Sequence, residues 1–281
     1  SCELNGDGNL DGIGTFCHEF SHCMGFPDLY DTSYAGWFGM GDFDLMCSGS
    51  YNGDGICPAG YSAYEKAECG WLTLKDMTNI EQETSIVGVQ PMSADEDAYI
   101  IKNKGHEDEY YILENRQKTG WDSYLPASGL MITHVDFDRT SFSLSWNSVN
   151  WIKGHPRMTV LPADGRMMSS YSDKNHYADN MECQLYPGKC NVDFFDYDLP
   201  ARTLTTTAGK DTIVSAYPNP IVYNGSVEVM ASTKPIKNIR EDTNNRVIYF
   251  DFIEPGSTAG IDSSRVVEHK DKDLRIFSLD G

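Results

Sequence analysis

The chain of 281 residues has no run of eighteen or more apolar residues, so no part of it reads as a membrane-spanning helix. It opens on neither a basic stretch nor an apolar segment of signal-peptide type, and any leader is expected to have been removed or to lie upstream. Positive charge is scarce: 22 Lys and Arg stand against 42 Asp and Glu, a formal net charge of −20. A surface of that sign repels phosphate backbones and anionic lipid, and no basic stripe interrupts it, which argues against nucleic acid as a partner. The acidity suits solubility, or an encounter with calcium outside a cell. Internal repeats and low-complexity tracts are missing too. What is present, 40% hydrophobic and 12% aromatic residues, is enough to bury the core of a globular chain of one or two domains.

Eight cysteines, at positions 2, 17, 23, 47, 57, 69, 183 and 190, permit four disulfides in an oxidising compartment. Cys183 and Cys190 bracket a Tyr186-Pro187-Gly188 turn and can close a small loop; Cys47 and Cys57 can do the same around Asn52-Gly53-Asp54-Gly55. Cys17 and Cys23 flank two histidines, where a cysteine serves either as a small buried apolar side chain or as a metal ligand.

Residues 1–14, rich in Gly, Asn and Asp, read as a loop. An amphipathic helix is expected from Thr15, as N-cap, to Met24, with Gly25 in the left-handed position that ends it and Pro27 blocking continuation. Residues 31–57 lack a period and read as irregular loop; a second helix is expected over 59–68, after Pro58 and before Gly70. Alternating or apolar runs at 85–89, 98–102, 110–114 and 130–135 read as strands, and 139–208 reads as loop apart from a strand at 157–161. Beyond 208, β-prone runs at 212–216, 226–231 and 247–252 suggest a separate β-rich segment over 211–281, and 275–281 looks like a strand entering a turn. The fold class expected is α+β.

His18-Glu19-Phe20-Ser21-His22 sets two histidines at i and i+4, so a helix projects both imidazoles from one face towards a single metal ion. Glu19 falls beside that position, where it can take a proton from a water that zinc acidifies. A catalytic zinc needs a third protein ligand and an open fourth position. Gly25 allows the chain to turn, and Asp28, six residues after His22, can swing back as a carboxylate ligand; Asp31 competes for that role.

The run from His18 to Asp31, H-E-F-S-H-C-M-G-F-P-D-L-Y-D, resembles the signature of the immune-inhibitor-A family of secreted bacterial zinc metalloproteases, and its G-x-P-D-x-Y core is similar to that of snapalysin. The resemblance implies His18, His22 and Asp28 as zinc ligands and Glu19 as general base. Snapalysin's lack of an acid at the place of Asp31 favours Asp28. Asp44-Leu45-Met46-Cys47-Ser48-Gly49-Ser50-Tyr51 resembles the family's methionine-containing turn, which would set Met46 beneath the zinc as an apolar floor, and Gly70-Trp71-Leu72 fits the segment that follows. Less specific similarity continues through Glu114, Arg116, Gly120-Trp121-Asp122 and the strand holding His134 to Asp164, making 1–210 the expected catalytic region. His134 is read either as a structural histidine or as a donor to the reaction's oxyanion, and Glu114 and Arg116 as partners of one another or of a loop. The family implies a zincin or metzincin-like catalytic domain with a sheet ahead of the active-site helix. Only 17 residues precede His18, so this chain is expected to hold the C-terminal half of such a domain, acting on protein or peptide substrates.

Two weaker signals remain. Oxygen-bearing side chains alternate from Glu3 to Asp11 with Gly8 in sixth place, as in a calcium loop, but Gly14 stands where a bidentate glutamate belongs. Asn224-Gly225-Ser226 is a glycosylation sequon. The competing reading of the whole chain is a catalytically inert secreted binding or adhesion module whose zinc is structural; a closed four-ligand site would mark it.

Overall fold

The computed structural model describes residues 12–33, 39–80, 84–92, 97–103, 106–152, 156–163, 181–195 and 236–252, with the backbone of four short strands between 204 and 227. Helices α1 (Gly14–Cys23) and α2 (Ala63–Glu68) accompany twelve strands: β1 (Lys75–Asp76), β2 (Thr84–Val89), β3 (Ala98–Asn103), β4 (His106–Arg116), β5 (Gly129–Asp136), β6 (Met158–Val160), β7 (Leu204–Thr207), β8 (Lys210–Ile213), β9 (Val222–Tyr223), β10 (Ser226–Val227), β11 (Ile236–Asp242) and β12 (Val247–Phe252). The mixture is α+β and rich in strand, as the sequence pattern predicts. The possible calcium loop largely, and the 224–226 sequon and the 275–281 run in part or whole, lie outside the described residues.

A five-stranded sheet in the order β1-β3-β4-β5-β6 forms the centre. It is antiparallel throughout except where β1 runs parallel to β3. Alternate side chains serve two different layers, as the two-residue period of a strand requires. Ile112, Met131 and Val135 join a core with Phe26, Met46 and Tyr64 beneath the helices. Tyr111, Leu113, Leu130 and Ile132 join the other core, with Ile236, Phe250 and Phe252. Every residue of β5 is consequently buried, which explains why that strand reads as a continuous apolar run.

The second core is closed by a three-stranded antiparallel sheet, β11-β12-β2. Phe250 pairs with Ile86 and Phe252 with Thr84, so the pairing spans the division expected at 210/211. Strand β11 escaped the sequence reading because its Lys-, Arg- and Glu-bearing run has a register break between Lys237 and Arg240, with Asn238 at φ +52°, which destroys the alternation.

Both helices begin elsewhere than expected. The N-cap of α1 is Ile13, without a side-chain cap, instead of Thr15, because the Gly14 amide finds the Gly55 carbonyl at 2.9 Å. A Cβ on Gly14 would lie 1.8 Å from the Ser50 carbonyl oxygen, so only glycine lets the helix start so close to the 48–51 turn. Helix α2 starts at Ala63 rather than 59: Ser62 and Glu65 form a capping box, and Gly60 upstream is held by its amide to Asp122 at 2.9 Å and by its carbonyl to Arg116 at 3.2 Å. The expected amphipathic face of α1 is also absent. Phe16 and Phe20 are 61% and 56% exposed while Ser21 is fully buried, so polar ties hold this helix in place of an apolar seam.

Under α2 lies a buried ionic cluster. The Arg116 guanidinium bonds Asp122 through Nε (2.9 Å) and Nη2 (2.8 Å) and Glu114 through Nη1 (3.1 Å), and Glu114 accepts the Ala63 amide. Glu114 and Arg116 thus pair with one another and with a loop, as read from the strand pattern. Removing one partner of such a cluster leaves an uncompensated charge in the interior, at a cost of about 3–5 kcal/mol.

Beside this cluster, the fully buried Asp44 and Glu65 each keep a carboxylate oxygen with no donor, a pattern that one shared proton resolves. Burial, followed by the charge of Asp44, pushes the Glu65 pKa well above its ordinary 4.5. Because the folded-state pKa is raised, the protonated carboxyl's stabilisation is complete below the unfolded value and is lost as pH rises through the folded one. Glu65→Gln retains a neutral donor for Asp44. In denaturant titrations between about pH 5 and about pH 8, the loss of stability with rising pH is expected to be shallower in the variant than in the wild type. Identical slopes would show that Glu65 does not carry the proton.

Candidate metal centre

Helix α1 presents His18 and His22 one turn apart, and their rings meet edge to face with centroids 4.9 Å apart. The helix ends at Met24, and Gly25, at φ +104°, turns the chain back; that left-handed conformation is the one predicted. Three residues later Asp28 is 6% exposed and faces both rings. Its Oδ1 lies 3.0 Å from His18 Nε2 and 3.4 Å from His22 Nε2. Donors placed tetrahedrally at ordinary zinc-ligand lengths lie about 3.3 Å from one another. One ligand atom from each of the three residues lies within 4.8 Å of the others, so the donor set fits a zinc-sized ion.

The imidazoles are oriented from behind. His18 Nδ1 donates to the Leu45 carbonyl at 2.9 Å and His22 Nδ1 to the Phe26 carbonyl at 2.7 Å. With Nδ1 protonated, each Nε2 keeps its lone pair for a metal, the arrangement that outer hydrogen bonds impose on ligand histidines. Leu45 belongs to the methionine-containing turn. There the Met46 amide donates to Asp44 Oδ1 at 2.7 Å, and the Met46 carbonyl accepts the Leu29 amide at 2.8 Å. Met46 is fully buried in the first core, one residue from the carbonyl that fixes His18 and bonded to the residue after Asp28. The buried Asp44–Glu65 pair therefore reaches the centre through this turn.

A contact without precedent in the motif comes from the loop after β5. Asn147 Nδ2 donates to Asp28 Oδ2 at 2.5 Å, and its Oδ1 accepts the Asp28 amide at 2.7 Å. Nothing in the sequence singles out Asn147, which lies 119 residues from Asp28; a lone asparagine in a polar stretch is an ordinary turn residue.

Burial alone would lower the His18 pKa, but the hydrogen bonds to Asp28 and Leu45, with the charges of Asp28 and Glu19, raise it overall. Burial likewise opposes ionisation of Asp28, yet the hydrogen bonds from His18 and Asn147 and the nearby imidazoles hold its pKa below the usual 3.8. A proton shared between His18 Nε2 and Asp28 stands where a metal ion would bind, and a bound cation would displace it and leave the imidazole neutral.

Other expected positions fall differently. Glu19 is exposed on the same helix, adjacent to His18. Asp31 is buried, and its Oδ1 accepts from the Ser33 amide at 2.9 Å and hydroxyl at 2.5 Å; it does not join the three converging donors. Cys17 and Cys23 are not small buried side chains: Cys17 is half-buried and Cys23 exposed, because the helix turns that flank outward. Cys183 and Cys190 form the expected disulfide, Cα atoms 5.2 Å apart. Cys47 and Cys57 remain thiols. Burial pushes the Cys47 thiol up to about 12, while Cys57 faces the carbonyls of Gly120 and Trp121. His134 Nε2 meets Glu109 at 2.8 Å with both side chains 1% exposed, a structural pairing within the sheet.

If Asp28 supplies the third donor, Asp28→Ala should lower zinc content, read by elemental analysis after dialysis, far more than Asp31→Ala. The reverse order would move the third donor to Asp31.

No curated protein matches the chain. Residues 7–73 match the family model of the immune inhibitor A peptidase M6, catalytic domain, a stretch running from ahead of α1 through the methionine-containing turn and α2. The matched segment carries His18, Glu19, His22, Asp28 and Met46, and over that segment the chain is similar to the immune inhibitor A peptidase family.

Proposed function

We propose that the chain is the site-bearing part of a zinc-dependent endopeptidase of zincin or metzincin-like architecture that acts on proteins outside the cell. The observation that carries the reading is the convergence of His18 Nε2, His22 Nε2 and Asp28 Oδ1 beside an exposed Glu19 on the same helix. A zinc ion bound there would supply Lewis acidity to polarise a peptide carbonyl and acidify water. His18, His22 and Asp28 would hold it, and the two Nδ1 hydrogen bonds keep both imidazoles aimed at it. Glu19, open to solvent, takes the proton of the attacking water on its carboxylate and returns it to the departing amine. Two neutral imidazoles and one carboxylate leave a net single positive charge with a divalent ion, which favours stabilisation of a developing oxyanion.

Three donors, not four, converge among the described residues. An open fourth position is what catalysis needs, and this favours the peptidase over an inert module with a structural zinc. The Cys183–Cys190 disulfide supports an oxidising, extracellular setting.

The test is Glu19→Ala in the natural full-length protein. Zinc content is expected to stay at the wild-type level while casein hydrolysis falls by about 10²–10⁴-fold. A variant that keeps zinc and full activity would contradict the role of Glu19.

A further inference from the structure

We infer that Asn147 is a positioning residue that restricts Asp28 to one-oxygen coordination, and so keeps a coordination position open. The inference rests on the reading of His18, His22 and Asp28 as metal donors. Asp28 divides its carboxylate between two partners: Oδ1 faces both imidazoles, at 3.0 and 3.4 Å, while Oδ2 accepts the Asn147 amide at 2.5 Å. A carboxylate with both oxygens available can chelate a divalent ion; one whose second oxygen is held by a donor binds through the first alone. The same asparagine accepts the Asp28 amide through its Oδ1 at 2.7 Å, so the side chain grips Asp28 at backbone and carboxylate together.

The loop is built to hold that side chain still. Asn147 sits at φ +45°, a left-handed conformation that asparagine, aspartate and glycine tolerate and most residues resist. Its amide donates to the Ser143 carbonyl at 2.8 Å and its carbonyl accepts the Thr32 hydroxyl at 3.1 Å. Three residues on, the fully buried Asn150 donates to the Leu29 carbonyl at 2.8 Å and to the Met158 carbonyl at 2.7 Å, and accepts the Met158 amide at 3.0 Å. Two asparagines of one loop therefore hold consecutive residues, Asp28 and Leu29, against the end of the central sheet. Phe142 and Val149, both buried in the first core, fix the loop beneath them.

Two substitutions preserve the left-handed backbone and change only the grip. Asn147→Gly removes both side-chain hydrogen bonds. Asn147→Asp keeps an acceptor for the Asp28 amide but sets a carboxylate against Oδ2. The natural protein would be titrated with zinc against a competing chelator and with cobalt(II) as a spectroscopic substitute. Wild type should bind zinc and give the intense visible bands of low-coordinate cobalt. Asn147→Gly should bind zinc about 10–100-fold more weakly, the range for losing an outer hydrogen bond to a ligand. Its cobalt bands should weaken as the released Oδ2 adds to the coordination shell, and Asn147→Asp should bind more weakly still. Wild-type affinity and an unchanged cobalt spectrum in folded Asn147→Gly would overturn the positioning role while leaving the metal site standing. A wild-type protein that binds neither ion would overturn the metal reading and this inference with it.

Discussion

A carboxylate withdrawn from water beside two imidazoles is stable only if its charge is answered and both its oxygens are satisfied. Asp28 meets that condition by division, one oxygen to the imidazoles and the other to Asn147. The remaining features of the centre follow from this arrangement. The Gly25 turn is needed to bring Asp28 back over the helix. The loop after β5 must run across the site to deliver Asn147, and the Leu29 backbone must be pinned by Met46 and Asn150 so that Asp28 does not drift.

Helix α1 adds little hydrophobic anchoring of its own, since Phe16 and Phe20 point to solvent. Its position is set by polar contacts at successive turns: Gly14 on Gly55, His18 on Leu45, the Ser21 hydroxyl on Tyr61 at 2.5 Å, and His22 on Phe26. Those contacts are only as rigid as their partners. The methionine-containing turn is rigid because Asp44 binds the Met46 amide and shares a buried environment with Glu65, and Glu65 in turn caps α2. Arg116, Glu114 and Asp122 extend the same polar layer to β4 and to the 120–124 turn. The site thus hangs on a buried polar frame, where a satisfied network rigidifies and a half-satisfied one fails.

Much of this was legible where the signal is local. The i, i+4 histidines, the Gly25 turn, the Asp28 carboxylate and the strands at 85–89, 98–102, 110–114 and 130–135 follow from period and spacing within a few residues. The disulfide between Cys183 and Cys190 was legible for the same reason, since its partners bracket one turn. What escaped is non-local or polar. Asn147 acts across 119 residues. Strand β11 hides behind a bulge and charged side chains. The true start of α2 depends on Arg116 and Asp122, which claim Gly60 before it can enter a helix. The burial offered as one reading of Cys17 and Cys23 fails because the helix was expected to carry an inward apolar face, and Phe16 and Phe20 instead face outward.

The central claim is the identity of the atoms that surround the metal. X-ray absorption at the zinc edge of the zinc-loaded natural protein reads them directly. The account predicts a first shell of nitrogen and oxygen alone at about 2.0–2.1 Å, with the outer-shell pattern of two imidazoles. A sulfur shell at about 2.3 Å, bringing in Cys17 or Cys23, would contradict it.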